Sequence, residues 1–522
     1  METFSSLQLF LLSFLASIIL MIFTRFKFFP SGLKIKKCLP PSPPKLPILG
    51  NLHQLGSHPH QSLHALSKKY GPLMLIHIGS IPTLVASSVD AAQGILKTHD
   101  SSFSSRPSMS IVKILFYGGK NLIFSPQGEH WRKMRSVLVT RLVSNARVKS
   151  FRKVREEETR NLIGALEESH GSLVDLSALI VKLTNTIICK VAFGRVHSGP
   201  KFTNLLKEHV EMIATFSVGS YIPWLSWVDR LTGLEGRAKK GAEEFDVFIE
   251  GVIEEHVNKK GGVEAKGDDV QDVVDILLEF QNENTTDFTL DRDSLKAVIL
   301  DVFAGGTDTT FNTLVWVLSE LIRNPRVMKK LQQEVTKVAQ GRPMLLEEDF
   351  EKMEYLKAVI KESYRLHPPA PFLLPRESVE DVKMMGYDIP AGTRVFVNAW
   401  AIGRDPNVWE DFEEFKPERF MDSSVDFRGH HFELIPFGAG RRGCPAIHFS
   451  VTILELVLTN LVYKFDFRLP DGEKIEDMDM SERNGLTVHK KAPLLVLPTP
   501  RDWCGAYQSF LFRTSYQISQ SS

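Results

Sequence analysis

The chain of 522 residues carries 63 basic against 62 acidic side chains, a formal net charge of +1. No global field therefore marks it for nucleic acid, although its length can bury a large core. The four cysteines, Cys38, Cys189, Cys444 and Cys504, are scattered and form no CxxC pair, which argues against a disulfide scaffold and a zinc ribbon and suits a reducing compartment.

Residues 7–23 read LQLFLLSFLASIILMIF, uncharged and almost wholly apolar, at the lower limit of length for a bilayer-spanning helix. Arg25, Lys27, Lys34, Lys36 and Lys37 follow, and such a flank holds its end of the helix in the cytoplasm. A cleaved secretory signal is the rival, but it needs basic residues before its apolar core, where this chain has Glu2. Residues 1–26 are thus expected to be an uncleaved membrane anchor. Residues 27–50 are basic and proline-rich, with Pro40, Pro41, Pro43, Pro44 and Pro47; they read as a semi-rigid strut or as a plain linker.

Residues 51–500 read as one mainly α globule with small β-sheets. Strand-like runs fall at 73–79 and 83–88, long helical patterns follow, and Pro, Gly and short strands dominate after Pro368. Residues 261–272 form a polar loop pattern, and the sequon at Asn284 escapes glycosylation on a cytosolic face. From about Asp291 to Pro325 the pattern is apolar almost all round, which predicts a helix crossing the interior. Gly305, Gly306, Asp308, Thr309 and Thr310 interrupt its middle. Each glycine costs about 1 kcal/mol there relative to alanine, and a buried carboxylate needs a partner. Thr309 is spaced to bond the carbonyl of Gly305 and bend the helix. Such a concentration of costs points to a functional site; a close helix contact made by small residues is the alternative.

In KESYRLHP, Glu362 and Arg365 stand at i, i+3 and share a helix face. FKPERF supplies Arg419, which would complete a buried network if it joined them. The loop PFGAGRRGCPA, residues 436–446, sets Cys444 among Gly438, Gly440 and Gly443, with Phe437 as an apolar shield and Arg442 beside it. A strong helical pattern follows, so Pro445 suits its first turn. Cys444 then stands at its N-terminal edge, where the dipole and Arg442 favour thiolate. A metal-bound or nucleophilic cysteine fits this setting; a Cys–His dyad stays formally open.

The loop resembles the haem-ligand signature of the cytochromes P450, Phe-x-x-Gly-x-Arg-x-Cys-x-Gly, through Phe437, Gly440, Arg442 and Cys444, with Ala446 replacing the last Gly. The helix around Gly305, Gly306, Asp308, Thr309 and Thr310 resembles the family's oxygen-activation motif. Glu362 and Arg365 match Glu-x-x-Arg, residues 417–420 match Pro-Glu-Arg-Phe, and Trp131 and Arg135 match Trp-x-x-x-Arg. The similarity runs to about Pro500, and its texture is that of a plant microsomal A-type enzyme.

The resemblance implies the cytochrome P450 fold with an N-terminal transmembrane anchor, residues 51–500 as the haem-thiolate catalytic domain, and residues 501–522 as a tail outside the pattern. It implies haem b with Cys444 as axial ligand of the iron, and Arg442, Arg135, Trp131 and Arg376 at the propionates. Asp308 and Thr309 would steer protons toward bound dioxygen. Electrons would come from NADPH through a membrane-bound NADPH-cytochrome P450 reductase, at the endoplasmic reticulum membrane. The substrate would be a small hydrophobic plant metabolite, a terpenoid, alkaloid or phenylpropanoid, facing Phe303, Phe372, Leu373, Leu374 and Leu486. A haem enzyme rearranging hydroperoxides and a non-catalytic haem sensor are the rivals, and neither needs the acid–alcohol pair.

Overall fold

The computed structural model describes residues 37–501 apart from 170, 197–199, 261–269, 284–289 and 471. The predicted anchor, the tail beyond Arg501 with Cys504, the sequon and most of the polar loop lie outside the described residues.

The elements used below are, in chain order, α1 (Pro59–Tyr70), β1 (Leu73–Ile78), β2 (Ile81–Ala86), α2 (Glu129–Val137), α3 (Arg152–Glu168), α4 (Leu176–Phe193), α5 (Leu234–Lys260), α6 (Arg292–Arg323), α7 (Pro325–Ala339), α8 (Glu354–Leu366), β3 (Arg376–Glu377), β4 (Arg394–Val397), α9 (Ile447–Lys464), β5 (Phe465–Arg468), β6 (Glu482–Arg483), β7 (His489–Lys490) and β8 (Leu495–Pro500). Helices form the bulk, as the apolar periodicity predicts. The largest sheet has the order β1-β2-β4-β3, with β2 and β4 parallel and the other neighbours antiparallel. A second cluster of buried side chains lies under this sheet, separate from the main helical core.

The proline-rich segment is docked on this sheet rather than free. The Leu75 N–H donates to the Pro41 carbonyl at 2.9 Å, and Cys38 and Asp388 exchange bonds. Gly50, at φ +60°, lies where any Cβ would strike the His77 carbonyl, so the chain can enter the globule along this edge only with glycine there.

The long helix α6 runs for 32 residues, about 48 Å at 1.5 Å per residue. Asp291 caps its start by accepting from the Ser294 N–H at 2.8 Å. Asn324 ends it, and Pro325 opens α7. Its flanks are buried on all sides, chiefly against α4 and α9. α4 and α9 are apolar enough to cross a membrane by composition, yet each is more than half buried in the core.

Candidate active site

The middle of α6 departs from its flanks. Val302, Ala304, Gly305, Gly306, Asp308 and Thr309 are only half-buried, although they sit deep in a helix that is otherwise sealed. The two glycines have different causes. A Cβ on Gly306 would lie 2.6 Å from Ile188 Cδ1 of α4, a close helix contact, whereas at Gly305 the nearest atom is Ile123 Cδ1 at 3.8 Å. Gly306 therefore serves packing, whereas a Cβ at Gly305 would meet only an ordinary contact on a half-buried face of the helix. The Thr309 hydroxyl donates to the Gly305 carbonyl at 2.8 Å. Asp308 accepts from the Thr487 hydroxyl and stands 3.3 Å from His489 Nε2. Burial works against its charge, but His489 and Thr487 outweigh that and hold its carboxyl below the usual carboxylate value.

The cysteine loop is bent by Gly438 and Gly440, at φ +66° and +68°. At Gly440 a Cβ would collide with the Leu96 carbonyl and Asp100, so this turn admits glycine alone. The Cys444 N–H donates to the Phe437 carbonyl at 2.9 Å, and the Phe437 ring packs between Tyr364 and Phe427. Two expectations need correction. The helix starts at Ile447 with Ala446 as N-cap, so Pro445 precedes the first turn instead of occupying it. The thiol is pushed up by burial, against smaller opposing contributions from the Ala446 N–H and Arg135, and Arg442 gives its donors elsewhere. The protein alone thus favours neutral thiol, and a cation at Sγ is what would reverse that. Cys444 lies deep in the protein, yet as a residue it is only half-buried and not sealed.

Around the loop lies an excess of positive charge. The Arg442 guanidinium stacks 3.9 Å from the Trp131 ring and donates to the carbonyls of Ser104 and Ser125. Arg135 of α2 donates to the Gly443 carbonyl at 2.9 Å. Arg376 of β3 donates to Asp100 at 3.0 Å and to the Ala439 carbonyl at 2.8 Å. Arg106 donates to the carbonyls of Ile123, Leu374 and Pro375. Burial first, then repulsion from Arg376 and Arg135, lowers Arg442 to about 9. Guanidiniums stay protonated in proteins, so four of them beside Asp100 amount to an unmet demand for anions. The Trp131 Nε1, buried with no partner among the described residues, is a donor in the same place. A flat, dianionic, metal-centred group therefore fits the residues present: cationic edge, orphan donor, unsealed sulfur and a helix with a half-buried middle.

The substrate-facing candidates divide. Leu373, Leu374 and Leu486 are half-buried, and Leu373 Cδ1 would lie 3.7 Å from a Cβ on Gly438 of the cysteine loop. Phe303 is 2% exposed and stacks on Phe193 of α4, so it packs in the core and lines no open space. Phe372 stacks on Phe396 and turns toward His60, into the sheet side of the molecule.

Glu362, Arg365 and Arg419 come together. Arg365 holds Glu362 at 2.7 and 2.8 Å and gives its remaining donors to the carbonyls of Gly403, Phe412 and Glu414. Arg419 and the Lys416 N–H complete Glu362 at 3.1 and 2.8 Å. All five Arg365 donors are used, which is the condition for a buried pair to be tolerated.

Several residues escaped the sequence reading. Asp301, fully buried on α6, accepts from Asn121 at 2.8 Å and from the Leu122 and Ile123 N–H groups. Asp100, Arg106, Thr487 and His489 are the others. Only Asp301 carried a signal, as a second acid on an otherwise apolar helix.

A profile of the cytochrome P450 family matches residues 40–497. The chain is 54% identical over 501 residues to a 3-beta-hydroxylase of Tanacetum parthenium, covering 95% of this chain and 100% of that one. It is 52% identical over 497 residues to norfluorocurarine oxidase of a Strychnos species, covering 92% and 96%. Its backbone superposes on a zebra fish cytochrome P450 solved with abiraterone at a TM-score of 0.73 and 25% identity, covering 85% of this chain and 100% of the other.

Proposed function

Since the chain belongs to the cytochrome P450 family and is a monooxygenase of plant type, we propose that it hydroxylates or oxidises a small hydrophobic specialised metabolite, of terpenoid, alkaloid or phenylpropanoid class. The family implies haem, and we propose Cys444 as the residue whose sulfur would hold its iron. The observation that carries this assignment is the cationic cradle around an unsealed, buried sulfur.

When bound, haem supplies an iron at which dioxygen is cleaved and one oxygen atom transferred to a carbon–hydrogen bond, with the Cys444 thiolate donating electron density to favour cleavage. The protein's own groups do the rest. Arg442, Arg135, Arg376 and the Trp131 N–H would hold the propionates by charge-assisted bonds. Gly305 lies on the half-buried stretch of the helix that would face the haem. Thr309, whose proton is turned to the Gly305 carbonyl, offers lone pairs to water on that face, and Asp308 hands protons to it. Leu373, Leu374 and Leu486 favour an apolar ligand.

We assign the electron supply to an NADPH-cytochrome P450 reductase docking near the cysteine loop, and the location to the endoplasmic reticulum membrane through the N-terminal anchor. Exposed Trp224, Trp227, Leu231, Ile48 and Leu49 support the bilayer as a partner. They flank one edge, because the β1–β2 turn bonds both segments: Gly79 N–H to the Leu49 carbonyl and Ser80 N–H to that of Tyr221. Tryptophan on such an edge suits the membrane interface.

The reduced carbon-monoxide difference spectrum of wild type beside Cys444→Ser tests the assignment. A thiolate-type Soret band in wild type that disappears in the variant is expected. Folded, haem-loaded wild type without that band would overturn both ligand and mechanism.

A further inference from the structure

The acid of α6 does not stand alone. Thr487 and His489 reach it from the segment entering β7, which is strapped to the same helix: Asn312 and Trp316 both donate to the Val488 carbonyl, at 2.9 and 3.1 Å, and the Val488 N–H donates to Pro369. The Thr487 hydroxyl donates to Asp308 Oδ2 and lies 2.7 Å from His489 Nε2. A hydroxyl that has given its proton to a carboxylate can only accept from the imidazole, so Nε2 carries a proton directed at Thr487. The other ring nitrogen, Nδ1, is buried with no partner among the described residues. The ring is 11% exposed at the side chain, beside the short β6–β7 hairpin in which His489 pairs with Arg483.

We propose that His489 and Thr487 form a proton relay that refills Asp308 from the hairpin side of the molecule. The proposal rests on the monooxygenase reading above, in which Asp308 is the internal donor. In one stroke the Nε2 proton passes to Thr487 Oγ1 as the Thr487 proton passes to Asp308 Oδ2; a hydronium ion entering from the hairpin side then protonates the imidazole at Nδ1, and a tautomer shift of the ring returns that proton to Nε2 for the next turn. One proton enters and one is delivered, with no change of oxidation state. Both are positioning residues, since they act through Asp308. The groups facing the imidazole are Asp308 and the Phe311 ring from α6 and Arg483 from β6, with Lys490 following on its own strand. Arg483 also lies near enough to Asp308 to favour its ionised form, so the relay ends in a carboxylate ready to accept.

Two measurements on the full-length protein separate this role from a merely structural one. Nitrogen NMR of 15N-histidine-labelled protein should show a His489 resonance, identified by its loss in His489→Gln, with the proton on Nε2 and a hydrogen-bond shift that collapses in Thr487→Val. With reductase, NADPH and oxygen, oxygen consumption should fall by about tenfold in either variant, less than the ~10²-fold that a lost general acid commonly costs, because water partly replaces the relay. The slowing in heavy water should grow, while the carbon-monoxide band and the first-electron reduction rate under carbon monoxide stay at wild-type values. A His489 whose proton sits on Nδ1, or variants with wild-type oxygen consumption and isotope effect, would overturn the relay. Absence of the carbon-monoxide band in wild type would instead remove the reading beneath it, and the NMR result would still stand on its own.

Discussion

Asp301 of α6 and Asn121 of the loop that crosses it are joined by a buried hydrogen bond of 2.8 Å. The same carboxylate takes the N–H groups of Leu122 and Ile123, while the carbonyls of Leu122, Ile123 and Ser125 go to Arg442 and Arg106. One loop thus gives its donors to the helix and its acceptors to Arg442 of the cysteine loop and to Arg106, which ties the two halves of the site together.

That carboxylate makes stability depend on pH. Burial pushes the Asp301 carboxyl up to about 7, against opposing contributions from Asn121, Leu122 and Ile123, whereas its ordinary value is 3.8. The folded state therefore keeps a proton that the unfolded chain has lost. The contribution is fully present below 3.8 and is lost as pH rises through about 7. Asp301→Asn cannot titrate, so the unfolding temperature of wild type minus that of the variant should fall across this window. A difference that is flat with pH would refute it.

The Arg365 fork predicts that Lys fails where Arg works. Lysine offers a point charge and cannot reach Glu362 and three carbonyls together. Arg365→Lys should cost about 3–5 kcal/mol, the range for breaking a buried pair. Gly403, where a Cβ would overlap the Arg365 carbonyl, shows how little room exists for repacking. Thermal unfolding and the yield of soluble protein measure this; a loss under about 1 kcal/mol, the range of a surface pair, would contradict it.

At Trp131 the ring and the N–H can be separated. Trp131→Phe keeps an aromatic face for Arg442 but removes the orphan donor. Haem should dissociate faster while the carbon-monoxide band keeps its position, because Cys444 is untouched. Transfer of haem to apomyoglobin gives the rate. An unchanged rate would mean that the Trp131 N–H bonds no propionate.

What the sequence revealed and what it hid follow from range. α6 was legible because its cap, its all-round apolar pattern and its terminal proline are local. The bends of the cysteine loop were legible because positive φ selects glycine. The start of α9 was misjudged by a turn's beginning, since proline suits both a first turn and the residue before a cap. Partners were hidden: Thr487 lies 179 positions from Asp308, and Arg106 some 270 from the carbonyls of Leu374 and Pro375. Side-chain direction was hidden too, so Phe303 and Phe372 read as cavity residues although each stacks on another ring elsewhere. Periodicity names a face and not what covers it.

The paired glycines of α6 should respond in opposite ways. Replacing either by alanine gains about 1 kcal/mol of helix propensity. At position 306 the new methyl would meet Ile188 at 2.6 and 3.3 Å, and overpacking of this kind costs about 1–3 kcal/mol, which offsets or exceeds the gain. At 305 the nearest atom, 3.8 Å away, is in ordinary contact, so the gain survives, and the methyl narrows the half-buried face that Gly305 shares with Thr309. Gly305→Ala should therefore raise the unfolding temperature and weaken the binding of imidazole in a spectral titration. Gly306→Ala should lower or leave the unfolding temperature and bind imidazole as wild type does. If Gly305→Ala binds imidazole unchanged, the face at Gly305 is not where small ligands enter, and they must approach past another face of the helix.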